Sequence, residues 1–403
     1  MNITVVDSIM GAGKSTYIKN YMNEHPERRW WYAAIRLKEA SVSVDSCPNL
    51  NFQEPSDENK KKSDDLISLI KKGVNIASTH QLLTKMKQTP ELLELIRVQG
   101  YSLVVDEVPD GLVDDLSKSK DDIAGQLRAE TFSIDEESGK LTWLNDNYRG
   151  KDFSDAKQKL QTGDVYYNGE TLISVFNPAI FTVFENVYIL TYLFHGSRMR
   201  MYFELFGLEY TTRYIQNGEL TSEKPNNLAD KERIHSLIDM YDGPLYDIGI
   251  KKYGRYSLSQ SWYTNRKYFT VQETLFKNTY NYLHNQRKAR SKDTMYTVFL
   301  TAYNKNPNLL PGYKKSFVEC SAKATNDYRD RINLAYLVNM FQDPEIEKFF
   351  QPRGITLDED AYARSAMLQW IWRSAIRDDK PIHLFIPSQR MRDMLNEWLE
   401  KSD

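Results

Sequence analysis

The chain's 403 residues, 41% apolar and 27% charged, suffice for two ordinary globular domains and exclude disorder as the main theme. A net charge of -2 excludes an all-over basic surface that would coat nucleic acid indiscriminately, while leaving room for a local basic groove. No run approaches the roughly eighteen apolar residues of a membrane span, a strand-like run follows Met1 where a signal peptide would lie, and two cysteines, Cys47 and Cys320, are too few for a disulfide framework or a four-ligand zinc site, so the expected location is the cytoplasm.

Asn2 to Val6 is a short β-branched run that enters a glycine-bearing loop, and Ser15 to Asn23 reads as the helix that follows. Trp30 to Ile35 and Gly73 to Ser78 are further apolar runs, the second preceded by an amphipathic stretch, Ser63 to Lys72. A helical stretch, Pro90 to Val98, leads to Tyr101-Ser-Leu-Val-Val-Asp106-Glu107, an apolar strand that ends in acid. Strands that are apolar throughout and alternate with helices predict a parallel sheet covered on both faces. Leu112 to Thr171, rich in Asp, Lys, Ser and Gly, breaks this rhythm and is expected to be an insertion after the acidic strand.

Val187 to Phe194 restores the buried-strand signature, and a helix to about Phe206 closes the expected first domain, residues 1 to 206. Residues 207 to 292 give little pattern beyond a helix from Val271 to His284 and are treated as a connecting region. Met295 to Leu300, Ser316 to Cys320, Ile332 to Val338 and Ile382 to Ile386 are strand candidates, with a helix from about Asp360 to Arg377, so residues 293 to 403 should form the core of a second α/β domain.

Ser8-Ile9-Met10-Gly11-Ala12-Gly13-Lys14-Ser15-Thr16 has the spacing of a phosphate-binding loop, with Ser8 in place of the usual first glycine. Between strand and helix, the loop residues Gly11, Ala12, Gly13, Lys14, Ser15 and Thr16 would turn backbone N–H groups toward phosphates. Lys14 would reach the terminal phosphates and Ser15 would offer its hydroxyl to Mg2+. Asp106 and Glu107 end a strand about ninety residues on, at the edge where open α/β sheets bind ligands. One carboxylate there can hold the metal shell and the next can orient water; a solvent-facing acidic turn would look the same without the loop upstream.

Gln369, Arg373 and Arg377 are spaced four apart, which on one helix lines them in a stripe suited to charge developing on a γ-phosphoryl group. An ordinary surface face is the other reading. Asn285 to Lys292 and Lys251 to Tyr256 are basic and read either as solvated faces or as a groove. Tyr253, Tyr256, Trp262 and Tyr263 read chiefly as core, with base stacking as the alternative. His80 and His195 lack metal-ligand spacing and read as structural.

The pattern resembles the superfamily 2 helicases, and among them the compact phage-encoded helicase-like ATPases. Ser8 to Ser15 looks like motif I, Asp106-Glu107-Val108-Pro109 like the DExx form of motif II, and Gln369 to Arg377 like motif VI with its arginine fingers. Ile76 to Gln81 is similar to motif Ib, Leu190-Thr191-Tyr192 to motif III, and Ala324 to Asp327 falls in the place of motif V. The order holds from residue 5 to residue 388, although Arg377 comes eight residues after Gln369 where the family commonly has seven, and Trp372 replaces a glycine.

The resemblance implies two RecA-like parallel-sheet domains, with the inserted subdomain after the DExx strand of the first. It implies an ATP-dependent, Mg2+-using nucleic-acid translocase, a DNA helicase of phage replication or recombination. Its partners would be single-stranded or forked DNA, with RNA open, and replication or recombination proteins, in the host cytoplasm and with no membrane. Lys14, Glu107, Gln369, Arg373 and Arg377 would be catalytic, Ser15 and Asp106 would hold the metal, and Ser78, Thr79 and Thr325 would touch nucleic acid. Remodelling of protein–DNA complexes without unwinding, a nucleotide-switched binding protein and, more distantly, a nucleoside or nucleotide kinase remain open at this point.

Overall fold

The computed structural model describes residues 2–37, 40–41, 45–58, 61–109, 111–246, 254–320 and 327–401. The chain divides into two compact units. One comprises Met1–Ser8, Ala12–Glu223 and Gln342–Asp358, and the other Ile9–Gly11, Lys224–Phe341 and Glu359–Asp403.

In the first unit β1 (Asn2–Asp7), β2 (Arg29–Ala34), β3 (Ile76–Thr79) and β4 (Tyr101–Asp106) precede the insertion. The insertion holds β5 (Val113–Asp115), β6 (Phe132–Ile134), β7 (Leu141–Trp143), β8 (Gly163–Tyr167) and β9 (Leu172–Phe176). Then come β10 (Asn186–Thr191), β11 (Thr211–Gln216) and β12 (Glu219–Thr221). The main sheet is seven-stranded in the order β12-β11-β1-β10-β4-β2-β3, parallel except for β12.

Alternate residues explain why these strands read as apolar throughout. Val5, Leu103, Val105, Val187, Ile189, Trp31 and Ala33 enter one core, while Val6, Val104, Leu190, Trp30 and Tyr32 enter another on the opposite face. Ile18 and Met22 of helix Lys14–Glu24 cover the second face. Helices Lys62–Lys72, Pro90–Gln99 and Arg198–Leu205 cover the first. Each such apolar side chain, fully buried, contributes roughly 1.5–3 kcal/mol.

The insertion has a small core of its own, Ile123, Phe132, Leu141, Phe153, Val165 and Leu172, under the antiparallel sheet β5-β9-β8 and the hairpin β6-β7. Two findings redraw the expected first domain. It runs past Phe206 through β11 and β12, and Gln342–Asp358 returns to it from far along the chain. On that return Ile346, Phe349, Phe350 and Ile355 join the core beneath the main sheet, and Asn168 Nδ2 donates to the Glu345 carbonyl at 3.0 Å.

The second unit is built on β13 (Ile238–Met240), β14 (Thr294–Thr297), β15 (Asn333–Tyr336) and β16 (Ile382–Phe385), all parallel in the order β13-β16-β15-β14. Tyr296, Ala335 and Phe385 face a core with Trp262, Tyr263, Leu275 and Tyr282, while Tyr336 meets Trp370 on the other side with ring centroids 5.3 Å apart. Trp262 and Tyr263 are thus core residues, whereas Tyr256 is 61% exposed. Ser316 to Cys320 is not a strand: a 3-10 turn, Lys314–Ser316, is pinned by the Ser316 hydroxyl to the Ser291 carbonyl at 2.7 Å, and a single bridge joins Phe317 to Tyr296.

Candidate nucleotide-binding site

β1, β10 and β4 lie side by side, so their carboxyl ends set Asp7, Thr191 and Asp106 along one edge. The chain leaves β1 through Ser8, whose N–H donates to the Thr191 carbonyl at 3.1 Å. The Ser8 hydroxyl accepts the Ile215 N–H at 2.7 Å, tying the loop to β11. A glycine could not make that bond, which gives a structural reason for serine at the loop's first position. Gly11 and Gly13 have φ of 82° and 88°, values that favour glycine, and Gly13 sits in the left-handed region as the N-cap of helix Lys14–Glu24. The N–H groups of the helix's first turn therefore face the loop, a ready anion site.

Lys14 Nζ donates to the Ser8 carbonyl at 2.5 Å. Burial pushes its pKa down to about 8, against the opposing pull of Asp7, then Asp106 and Glu107. Asp7 is itself raised above the usual carboxylate range, by burial first, although the Phe194 N–H donates to it at 3.1 Å. Asp7 was not singled out from the sequence, yet the signal was there: Val5-Val6-Asp7 repeats Val104-Val105-Asp106, an apolar strand ending in acid.

Asp106 is held by the Tyr32 hydroxyl, which donates to Oδ2 at 2.6 Å. Glu107 donates its N–H to the Leu190 carbonyl at 3.0 Å and has φ of 70°, a left-handed backbone that costs a non-glycine residue of order 1–3 kcal/mol. That turn carries Glu107 off the strand axis directly after Asp106. The edge thus presents helix N–H groups, an enclosed ammonium and the carboxylates of Asp7, Asp106 and Glu107. A bound polyphosphate would add more negative charge beside those three, so this set fits a phosphate that arrives with a divalent cation. Ser15 and Asp106 could hold such a cation, which needs only one or two protein ligands besides phosphate and water.

Residues 232–399 match the family model of the YonV C-terminal Rossmann-like domain, a span that contains all four parallel strands of the second unit. The whole chain is similar to the SPbeta prophage-derived protein YonV of Bacillus subtilis (strain 168), 34% identical over 417 residues that cover 99% of this chain and 98% of that protein. The chain belongs to the YonV family. Among solved structures, an XPD helicase is similar at 10% identity with a TM-score of 0.49, covering 99% of this chain and 95% of that one. The S. tokodaii Xpd4 structure follows at 10% identity and a TM-score of 0.42, over 98% of this chain and 94% of that one.

In this YonV-family chain the stripe expected of Gln369, Arg373 and Arg377 does not form. The helix runs from Glu359 to Ile371 and stops. Ser374 donates its hydroxyl to the Ile371 carbonyl at 2.7 Å and accepts the Ile376 N–H, ending one helix and starting a 3-10 turn, Ala375–Asp378. Gln369, whose amide donates to Ser365 Oγ at 3.2 Å, is thus on the helix, Arg373 in the turn after it, and Arg377 in the next element. Arg373 is 4% exposed, whereas Arg377 lies at the surface.

Ser78 is in the core, its hydroxyl accepting the Trp31 indole N–H at 2.8 Å, which corrects its assignment to nucleic-acid contact. Thr79 caps helix His80–Lys85 by accepting the Leu82 N–H at 3.2 Å. His80 is buried against the Ala33 carbonyl, as expected of a structural histidine. Thr325, with the rest of the segment placed at motif V except Asp327, and Tyr253 with its neighbouring lysines lie outside the described residues.

Proposed function

We propose that this chain is an ATP hydrolase that converts hydrolysis into movement along DNA, a translocase of the helicase type. The observation that carries this reading is the shared sheet edge, where a glycine-bearing loop at a helix N-terminus, the enclosed Lys14 and the carboxylates of Asp106 and Glu107 converge.

On this reading the N–H groups of Gly11 to Ser15 cradle the phosphates, and Lys14 exchanges the Ser8 carbonyl for the terminal phosphate oxygens. Mg2+, when bound, neutralises phosphate charge and polarises the γ-phosphoryl group. Ser15 and Asp106 hold it, and the Tyr32 hydroxyl fixes the Asp106 rotamer. Glu107 orients the attacking water and takes its proton. Gln369 as nucleotide sensor and Arg373 as the charge for the transition state follow from the motif order in the sequence, as does DNA as the track; the exposed Arg377 has the lesser claim. The prophage origin of the Bacillus subtilis relative supports a place in phage replication or recombination within a host cytoplasm.

Steady-state ATPase measured alone and with single-stranded DNA, double-stranded DNA and RNA tests the reading. Stimulation by DNA, abolished by Lys14→Ala, is expected. A rate indifferent to every nucleic acid would remove the motor, and transfer of phosphate to a nucleoside or nucleotide instead of water would make the chain a kinase.

A further inference from the structure

A cleft of about 200 Å³ in the first unit opens between helix Lys14–Glu24 and the β1–β11 side of the main sheet, lined by Tyr17, Tyr21, Tyr188, Asn2, Thr4 and Arg213 among others. Its back wall is fixed. Tyr188 donates to the Tyr21 hydroxyl at 3.4 Å, Arg28 donates to the same hydroxyl at 3.2 Å, and the Tyr17 and Tyr21 rings stack with centroids 6.0 Å apart. The front is different. The side chains of Asn2, Thr4 and Arg213 and the phenol of Tyr17 line the opening, and none is in a hydrogen bond or ion pair recorded among the described residues. A half-buried guanidinium and a phenol hydroxyl on one cleft, next to a ring with one neighbour already stacked on it, make an arrangement suited to a flat polar ligand.

Both walls of the cleft start at the phosphate-binding loop. Tyr17 lies one helical turn after Lys14, and its N–H donates to the Gly13 carbonyl at 2.8 Å. Arg213 pairs with Val6 in the sheet, two residues before Ile215, which donates to Ser8. A nucleotide whose phosphates rest on the loop can direct its sugar and base along that first turn, where Tyr17 and Arg213 line the cleft.

We propose that this cleft is the base subsite of the nucleotide site, in which Tyr17 stacks on a purine and Arg213 directs its paired N–H groups to the ring's acceptor edge. Tyr17 keeps its proton, since burial raises the phenol above its ordinary value, and so remains a neutral ring with a donor at its rim. The inference rests on the reading of Ser8 to Ser15 as a phosphate-binding loop.

The test separates base from phosphates by using tripolyphosphate, which has no base. Affinities of Mg2+–ATP and Mg2+–tripolyphosphate are measured by calorimetry for the parent, Tyr17→Ala, Tyr17→Phe, Arg213→Ala and Lys14→Ala. Tyr17→Ala and Arg213→Ala should each weaken ATP about tenfold or more while leaving tripolyphosphate unchanged, and Tyr17→Phe, which keeps the ring, should stay close to the parent. ATP affinity at the parent level in both alanine variants overturns the subsite while leaving the loop reading intact. Equal loss of ATP and tripolyphosphate in Tyr17→Ala also counts against it, because the damage is then to the loop. If Lys14→Ala binds tripolyphosphate as the parent does, the loop reading falls first.

Discussion

The depressed pKa of Lys14 makes nucleotide binding sensitive to pH in a window where few other groups titrate. With a value of about 8, about nine-tenths of the molecules carry the ammonium at pH 7 and about one-tenth at pH 9. A triphosphate needs that charge, so the protein must first take up a proton at the higher pH. The apparent affinity should fall about tenfold from pH 7 to pH 9, or ~1.4 kcal/mol.

Calorimetric titration of Mg2+–ATP in buffers of different ionisation enthalpy reads both the affinity and the proton taken up, which should approach one per nucleotide toward pH 9. Lys14→Arg keeps a cation that does not titrate in this range and should give a flat profile. A parent affinity constant across the window, or a Lys14→Arg profile as steep as the parent's, would refute the argument that burial has primed this ammonium.

The same group bears on stability: its folded value lies below that of an unfolded lysine, so the unfolded chain binds more protons between about pH 8 and pH 10.4, and stability should rise with pH there by up to about 3 kcal/mol. Denaturant midpoints of the ligand-free parent against Lys14→Met across that window check it. Glu107→Gln should bind Mg2+–ATP and fail to turn it over, because an amide cannot accept the proton from water. Glu107→Gly should be equally inactive yet more stable by roughly 1 kcal/mol, since glycine adopts the φ of 70° without strain; equilibrium unfolding beside an ATPase assay separates the two effects. Arg373→Ala should leave nucleotide affinity near the parent's and cut DNA-stimulated hydrolysis at least about a hundredfold, with Arg373→Lys little better. Ser8→Ala should lower stability by about 1–3 kcal/mol, measured by chemical denaturation, because the buried Ile215 N–H loses its acceptor.

The first unit's frame was legible because its strands are buried on both faces and so read as unbroken apolar runs, and because two of them end in chemistry. The carboxyl ends of β1 and β4 could be found from residues that follow one another in the chain. What was hidden depends on contacts between distant segments. Nothing in Pro344 to Phe350 announces that its apolar side packs under a sheet completed at Thr221, more than a hundred residues earlier. The break after Ile371 was hidden for a different reason. Neither glycine nor proline marks it, and the serine that makes it uses a hydroxyl bond equally compatible with a helix interior. Spacing by fours along Gln369, Arg373 and Arg377 therefore looked helical where the backbone had already turned.

Besides the short excursion of Ile9–Gly11, the return of Gln342–Asp358 to the first unit makes the chain pass between its halves at Glu223, at Phe341 and again at Asp358. No single cut separates them. A fragment bounded like the family's C-terminal domain, residues 232–399, carries off a helix whose Ile346, Phe349 and Phe350 belong to a core left behind. Released alone, it would display those rings to water and invite self-association, and its counterpart would keep a hole under its main sheet. Protease nicks in either of the later crossings should leave pieces that stay together until denatured. In heredity, too, the halves would be exchanged as one piece or not at all, since a crossover within residues 224–341 would join a first unit to another lineage's strap.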